Sequence, residues 1–268
     1  MSFKRRYFAS VLFIVLLAVF TARADDFWVK KDWKQWSKDE CNKMLTDSPW
    51  SKTWSKSQVN LSAALPGSSG ANQEGASGNN SSEIHYSIQF RSALPVREAY
   101  VRLQQIGNKY DKMSDAQKKS FDAQADSILG KTYDDVILVH VEYGSNVTPF
   151  ERQMATYWKS IRPDSVPEDF YLINERGDRV APVKFLSPPG GVYAFELIFP
   201  RLKDNEPFVR DADKNLSLQF LNPAVGIQSA VDPGANSQND AAVGTFGRER
   251  VLAQYKVDKM MLNGKLLY

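Results

Sequence analysis

Apolar and polar residues alternate from Ile84 to Phe90: Ile84, Tyr86, Ile88 and Phe90 fall on one side, His85, Ser87 and Gln89 on the other. A period of two marks a strand with one face buried. The run Val136–Tyr143 is apolar at nearly every position, which predicts a strand covered on both faces and central in its sheet. Val192–Phe199 alternates again, with Tyr193, Phe195, Leu197 and Phe199 set against Val192, Ala194, Glu196 and Ile198. Asn215–Leu221 and Arg250–Lys259 read the same way, and Phe170–Phe185 reads as two strands around a turn at Arg176-Gly177-Asp178.

Helical spacing separates these strands. Ser37 and Glu40 form a capping box, with Trp36 and Cys41 as its hydrophobic staple, so a helix should run over Lys38–Thr46 with Cys41, Met44 and Leu45 inward. Pro95 opens a second helix, with Val96, Ala99, Tyr100, Leu103 and Ile106 on one stripe. Ser114 and Gln117 form another capping box ahead of Phe121, Ala125, Ile128 and Leu129, and Gly130 fits the stop. Thr148 starts a helix that points Phe150, Met154, Trp158 and Ile161 inward and ends by Pro163.

The pattern predicts an α+β fold: an antiparallel, immunoglobulin-like β-sandwich of about seven short strands, with inserted helices and a Trp-rich N-terminal helix. The expected organisation is a signal peptide over 1–24, a Trp-rich helical segment over 25–61, a flexible linker over 62–83, and a sandwich domain over 84–268. The helical insertion is expected at about 95–130. Within the linker, Pro66–Glu83 has no apolar residue larger than Ala, too little to offset its ordering entropy. A second mobile stretch is expected over Ser229–Gly247.

The first residues change the reading of charge. Lys4, Arg5 and Arg6 precede an apolar run centred on Val11–Phe20, and Ala22-Arg23-Ala24 supplies an A-x-A cleavage site before Asp25. The apolar run is shorter than the roughly 20 residues of a membrane span. Removing Lys4, Arg5, Arg6 and Arg23 takes 34 basic residues to 30 against 31 acidic ones. No net positive field remains, which argues against a nucleic-acid partner. The exported chain, about 244 residues long, has one cysteine, Cys41, and no means of forming an internal disulfide, so it must rely on its core. That suits a periplasmic or extracellular bacterial protein with no stable membrane span after cleavage, working with another envelope protein.

Two chemistries are worth weighing. His85 lies on the polar face of its strand, and His140 and Glu142 share one face of the central strand. If the two strands are neighbours, these three side chains converge as an acid–base pair or a metal site. Five of the six tryptophans, Trp28, Trp33, Trp36, Trp50 and Trp54, crowd into one stretch. Trp28, Trp33 and Trp54 are the candidates for a sugar-stacking platform, while Trp36 and Trp50 have local packing roles. No G-x-S-x-G, S-x-x-K, phosphate loop or metal-ligand spacing is present, so no catalytic residue, metal or cofactor is assigned.

The pattern Trp-x-x-Trp-Ser…Met-Leu-Thr-Asp-Ser-Pro-Trp over residues 33–54, together with Ser92–Arg102, resembles exported bacterial proteins that are mostly uncharacterised. The resemblance implies export and carries over no activity, cofactor or functional residue. The expected role is therefore a non-enzymatic binding or assembly module. The alternatives are an envelope hydrolase or metal-dependent enzyme using His85, His140 and Glu142, and a carbohydrate-binding module using the tryptophans.

Overall fold

A computed structural model describes residues 27–59, 81–164, 168–187, 192–226 and 245–268. The expected export signal, the expected linker as far as residue 80 and residues 229–244 of the second stretch expected to be mobile lie outside the described residues. Among the described residues are five α-helices: α1 (Phe27–Lys30), α2 (Lys38–Thr46), α3 (Leu94–Gly107), α4 (Asp115–Leu129) and α5 (Thr148–Ser160). Nine strands make the two main sheets. They are β1 (Ser51–Val59), β2 (Ser81–Phe90), β3 (Val136–Ser145), β4 (Tyr171–Asn174) and β5 (Arg179–Val180), then β6 (Lys184–Leu186), β7 (Ala194–Pro200), β8 (Asn215–Leu221) and β9 (Arg250–Lys256).

The chain is a mixture of helices and antiparallel sheet. One sheet runs β1-β2-β3-β7-β6 and the other β9-β8-β4-β5. Their inward faces meet through aromatic rings: Tyr86 lies 5.1 Å from Phe220, and Phe90 lies 4.7 Å from Tyr255. Helix α5 drives Trp158 into this layer, 4.7 Å from Phe195 and 6.0 Å from Phe220. The alternation drawn from the sequence is what fills the core. Ile84, Tyr86, Ile88 and Phe90 of β2 are all buried, as are Phe195, Leu197 and Phe199 of β7. Strand β3 is the third of five, in the central place that its two apolar faces predict.

The helix starts also follow their local signals. Both arms of both capping boxes form, at Ser37 with Glu40 and at Ser114 with Gln117. Helix α2 packs on the outer face of the first sheet, where Ser87 donates its hydroxyl to the Leu45 carbonyl. Helix α3 lies against α2 and α4, so the three form a helical layer over that face.

The Trp-rich segment departs from expectation. It is helical only in its first part; Ser51–Val59 is a strand, β1, paired with β2 in the register Trp54↔Tyr86. The sequence SKTWSKSQV has one large apolar residue before Val59 and no inward row, so nothing local announces a strand. Pairing with β2 supplies the order instead. Lys52 and Lys56 sit along it, the kind of charge that discourages further pairing at an open edge. The linker expected to reach residue 83 stops short of it, because Ser81–Glu83 already belongs to β2. At the other end, β9 stops at Lys256 and Val257–Lys259 is a turn of 3₁₀ helix.

Candidate functional site

The antiparallel register of β2 and β3 decides which candidate residues meet. His140 stands opposite Gln89 and Glu142 opposite Ser87, so all four share the outer face. Glu142 Oε1 accepts from His140 Nε2 at 3.2 Å. Strand β7 adds a residue that the sequence reading did not single out: Glu196 pairs with His140 across the ladder, its Oε1 3.5 Å from His140 Nδ1. Arg91, just past the end of β2, reaches 3.8 Å from Glu142 and 3.7 Å from Glu196. The result is a closed network of one imidazole, two carboxylates and one guanidinium.

His85 does not join it. It stands opposite Gly144, four residues along β2 from Gln89, or roughly 13 Å at strand rise. Its ring occupies the space over Gly144, where an added Cβ would lie 2.8 Å from two imidazole atoms and 3.6 Å from Glu151 Oε1. The expected trio is therefore a His140–Glu142 pair with Glu196 and Arg91 in place of His85. Among the described residues, no group of three or more His, Cys, Asp and Glu side chains could hold a metal ion.

The electrostatics follow from the contacts. The hydrogen bond from His140 holds the Glu142 carboxyl below its usual range, and Arg91 adds to the effect. Glu196 is also held low, first by His140 and then by Arg91 and Lys131. Burial pushes the Arg91 guanidinium below its usual value, and the two glutamates offset part of that. His140 itself is buried, with a side chain 5% exposed.

Arg91 and Glu196 also line a cavity of about 380 Å³ between the first sheet and the helical layer. Val96, Ile128 and Leu138 give it apolar walls. Tyr100, Tyr133, Ser127 and Lys131 bring polar atoms towards the same space. The Arg91 guanidinium lies over the Tyr100 ring at 5.2 Å, which fixes both side chains. The position of Glu196, the single acidic residue in Ala194–Phe199, was the available sequence signal. Lys131 sits in a connection after α4 and gave none.

The tryptophans are dispersed into packing positions. Trp36 and Trp50 are fully buried. Trp28 meets Trp50 edge-on at 6.0 Å, Phe27 meets Trp36 at 5.2 Å, and Trp54 tilts against Tyr86 at 6.0 Å. Trp28, Trp33 and Trp54 are half-buried against the core. Their rings thus have separate partners rather than one shared flat surface.

No protein-family model, no curated protein and no solved structure matches the chain. Among the described residues, no helix is long and apolar enough to cross a membrane.

Proposed function

We propose that this is an exported bacterial envelope protein that works as a non-enzymatic binding module, its partner or ligand drawn from the same compartment. The carrying observation is the cavity beneath the helical layer. About 380 Å³ with apolar walls and a few convergent polar groups is the usual form of a small-ligand site. Arg91 and Glu196 then form a polar wall of the cavity, tied to His140 and Glu142 beside it. Each charge in it already faces an opposite one, an arrangement suited to orienting a ligand. The scaffold belongs in this reading to the immunoglobulin-like sandwiches in architecture, on the support of two antiparallel sheets with facing aromatic cores. Its strand order is its own, since three successive strands stay side by side in one sheet.

A thermal-shift screen of periplasmic metabolites tests the binding role. Ser127 is exposed on α4 at the cavity wall, so Ser127→Trp should obstruct the cavity and leave the core alone. A hit should raise the melting temperature of the wild type and not that of Ser127→Trp; hits unaffected by the variant would sink the cavity assignment. Export is tested by N-terminal sequencing from the native host, which should begin at Asp25. An intact chain in the cytoplasm would contradict it.

The hydrolase alternative rests on one observation, the 3.2 Å contact of His140 with Glu142. Hydrolytic turnover abolished by Glu142→Gln would favour it over the binding reading. The carbohydrate alternative would need the half-buried rings of Trp28, Trp33 or Trp54 to quench on glycan addition.

A further inference from the structure

A second cavity, of about 350 Å³, lies on the other side of the Gly130–Asp134 connection and shares Arg97, Lys131 and Tyr133 with the first. Its wall chemistry is one-sided. Arg97 is buried, and one of its nitrogens donates to the carbonyls of Ile128, Leu129 and Lys131, each at 2.8 Å. Its guanidinium also lies 5.2 Å from the Tyr133 ring. Among the described residues no carboxylate lies within ion-pair distance of it, and Glu98 acts on it only through space. Carbonyl dipoles satisfy its two terminal nitrogens but cancel no net charge, and its Nε is buried with no hydrogen-bond partner.

The other cations repeat the theme. Lys131 is exposed, with its ammonium 5.3 Å from the Tyr133 ring, and Lys265 is exposed on the facing wall. Neither forms an ion pair among the described residues. Lys265 is held there by a tight hairpin, Met261–Leu262 with Lys265–Leu266, turned at Asn263 and Gly264. Both turn residues have positive φ, 52° and 73°, the conformation that an Asn-Gly turn accommodates. Arg201 completes the ring, donating to main-chain oxygens of Tyr133 and Tyr268 and lying over the Tyr268 ring. Asp134 is the single acidic side chain in the lining, and it is exposed.

We infer that this second cavity is an oxyanion site, built for a phosphate-type group. Four cationic side chains, Arg97, Lys131, Arg201 and Lys265, stand against the one acidic side chain of Asp134 in the lining, so positive charge dominates the recess. An anion there would interact with all of them through a space partly screened from water, where charge contacts are stronger than at the open surface. Lysines are flexible point charges and adapt to a tetrahedral group, while the Tyr133 and Tyr268 rings bound the recess. The phosphate-type group can belong to a free anion or to a lipid headgroup. The inference does not rest on the binding-module reading, because it concerns a different recess.

The test is calorimetric titration of inorganic phosphate into the mature chain, with a parallel flotation arm using phosphatidylglycerol/phosphatidylcholine vesicles. The double variant Lys131→Glu, Lys265→Glu changes two exposed side chains and leaves Arg97 to hold its carbonyls. Saturable phosphate binding that weakens at least about tenfold in the double variant supports a free oxyanion as ligand. Binding to the anionic vesicles alone, lost in the double variant, supports the same site serving a headgroup. Absence of binding in both arms, or binding indifferent to the double variant, overturns the inference. Ser127→Trp, which obstructs the first cavity, should leave phosphate binding unchanged, so the two proposals fail separately.

Discussion

Trp50 donates its indole N–H to the carbonyl of Leu267 at 2.6 Å, a bond spanning 217 residues of chain. The ring is fully buried where β1 begins, and the main-chain oxygen of Trp50 accepts from Phe90 N–H at 2.9 Å. One residue thus ties the N-terminal segment both to the first sheet and to the last residues. Trp50→Ala should destabilise the protein by roughly 3–5 kcal/mol, the range for emptying a buried aromatic site. Trp50→Phe should restore much of the packing but lose the hydrogen bond, worth about 1 kcal/mol. Urea unfolding of the two variants separates the contributions.

Arg97 closes the end of α4. The Ile128 and Leu129 carbonyls belong to the helix's last turn, where no intrahelical donor remains for them. A cation at that end is also favoured by the helix dipole. Arg97→Met keeps the apolar stem and removes the donors, and should cost roughly 2–4 kcal/mol. Hydrogen exchange should show the loss first around Ile128–Lys131. Uniform loss across the two sheets would mean that Arg97 acts through the core instead.

Glu98, one residue on, gives the protein a pH dependence near neutrality. Burial, with Asp32 as a nearby like charge, pushes its carboxyl up to about 7, and Arg97 offsets part of the rise. The unfolded chain ionises near 4.5, so the two states hold the proton differently between about 4.5 and 7. Stability should therefore fall as pH rises through that window and level off above it. Glu98→Gln should flatten this part of a plot of urea midpoint against pH, and Asp32→Asn should shallow it.

The outer-face network acts on the acid side. Glu142 and Glu196 are held below 4.5 in the folded state, so their contribution is present above that pH and lost as pH falls through their folded values. Melting temperature should drop as pH falls below about 4.5. Glu196→Gln should reduce the drop more than Glu142→Gln, because the Glu196 side chain is 25% exposed and the Glu142 side chain 51%. Equal acid sensitivity in both variants and the wild type would place the acid response elsewhere.

The sequence by itself determined the elements that have local causes. Ser37 with Glu40 and Ser114 with Gln117 begin their helices because a side chain three residues away satisfies free N–H groups, and no distant residue is needed. The alternation in β2 and the continuous apolar run of β3 set burial and sheet position in the same way. Tertiary structure alone decided β1, where Ser51–Val59 lacks an inward row and becomes a strand through its ladder to β2. It also decided the site. Glu142 reaches His140 within one strand, so spacing could pair them. Joining Glu196 and Arg91 to that pair, and keeping His85 away, required the registers of three strands, and a shift of one residue would have turned these side chains to the other face. The cation-lined recess shows the same limit more strongly: Arg97, Lys131, Arg201 and Lys265 come from four separate segments, and only the closed fold brings their charges to one space.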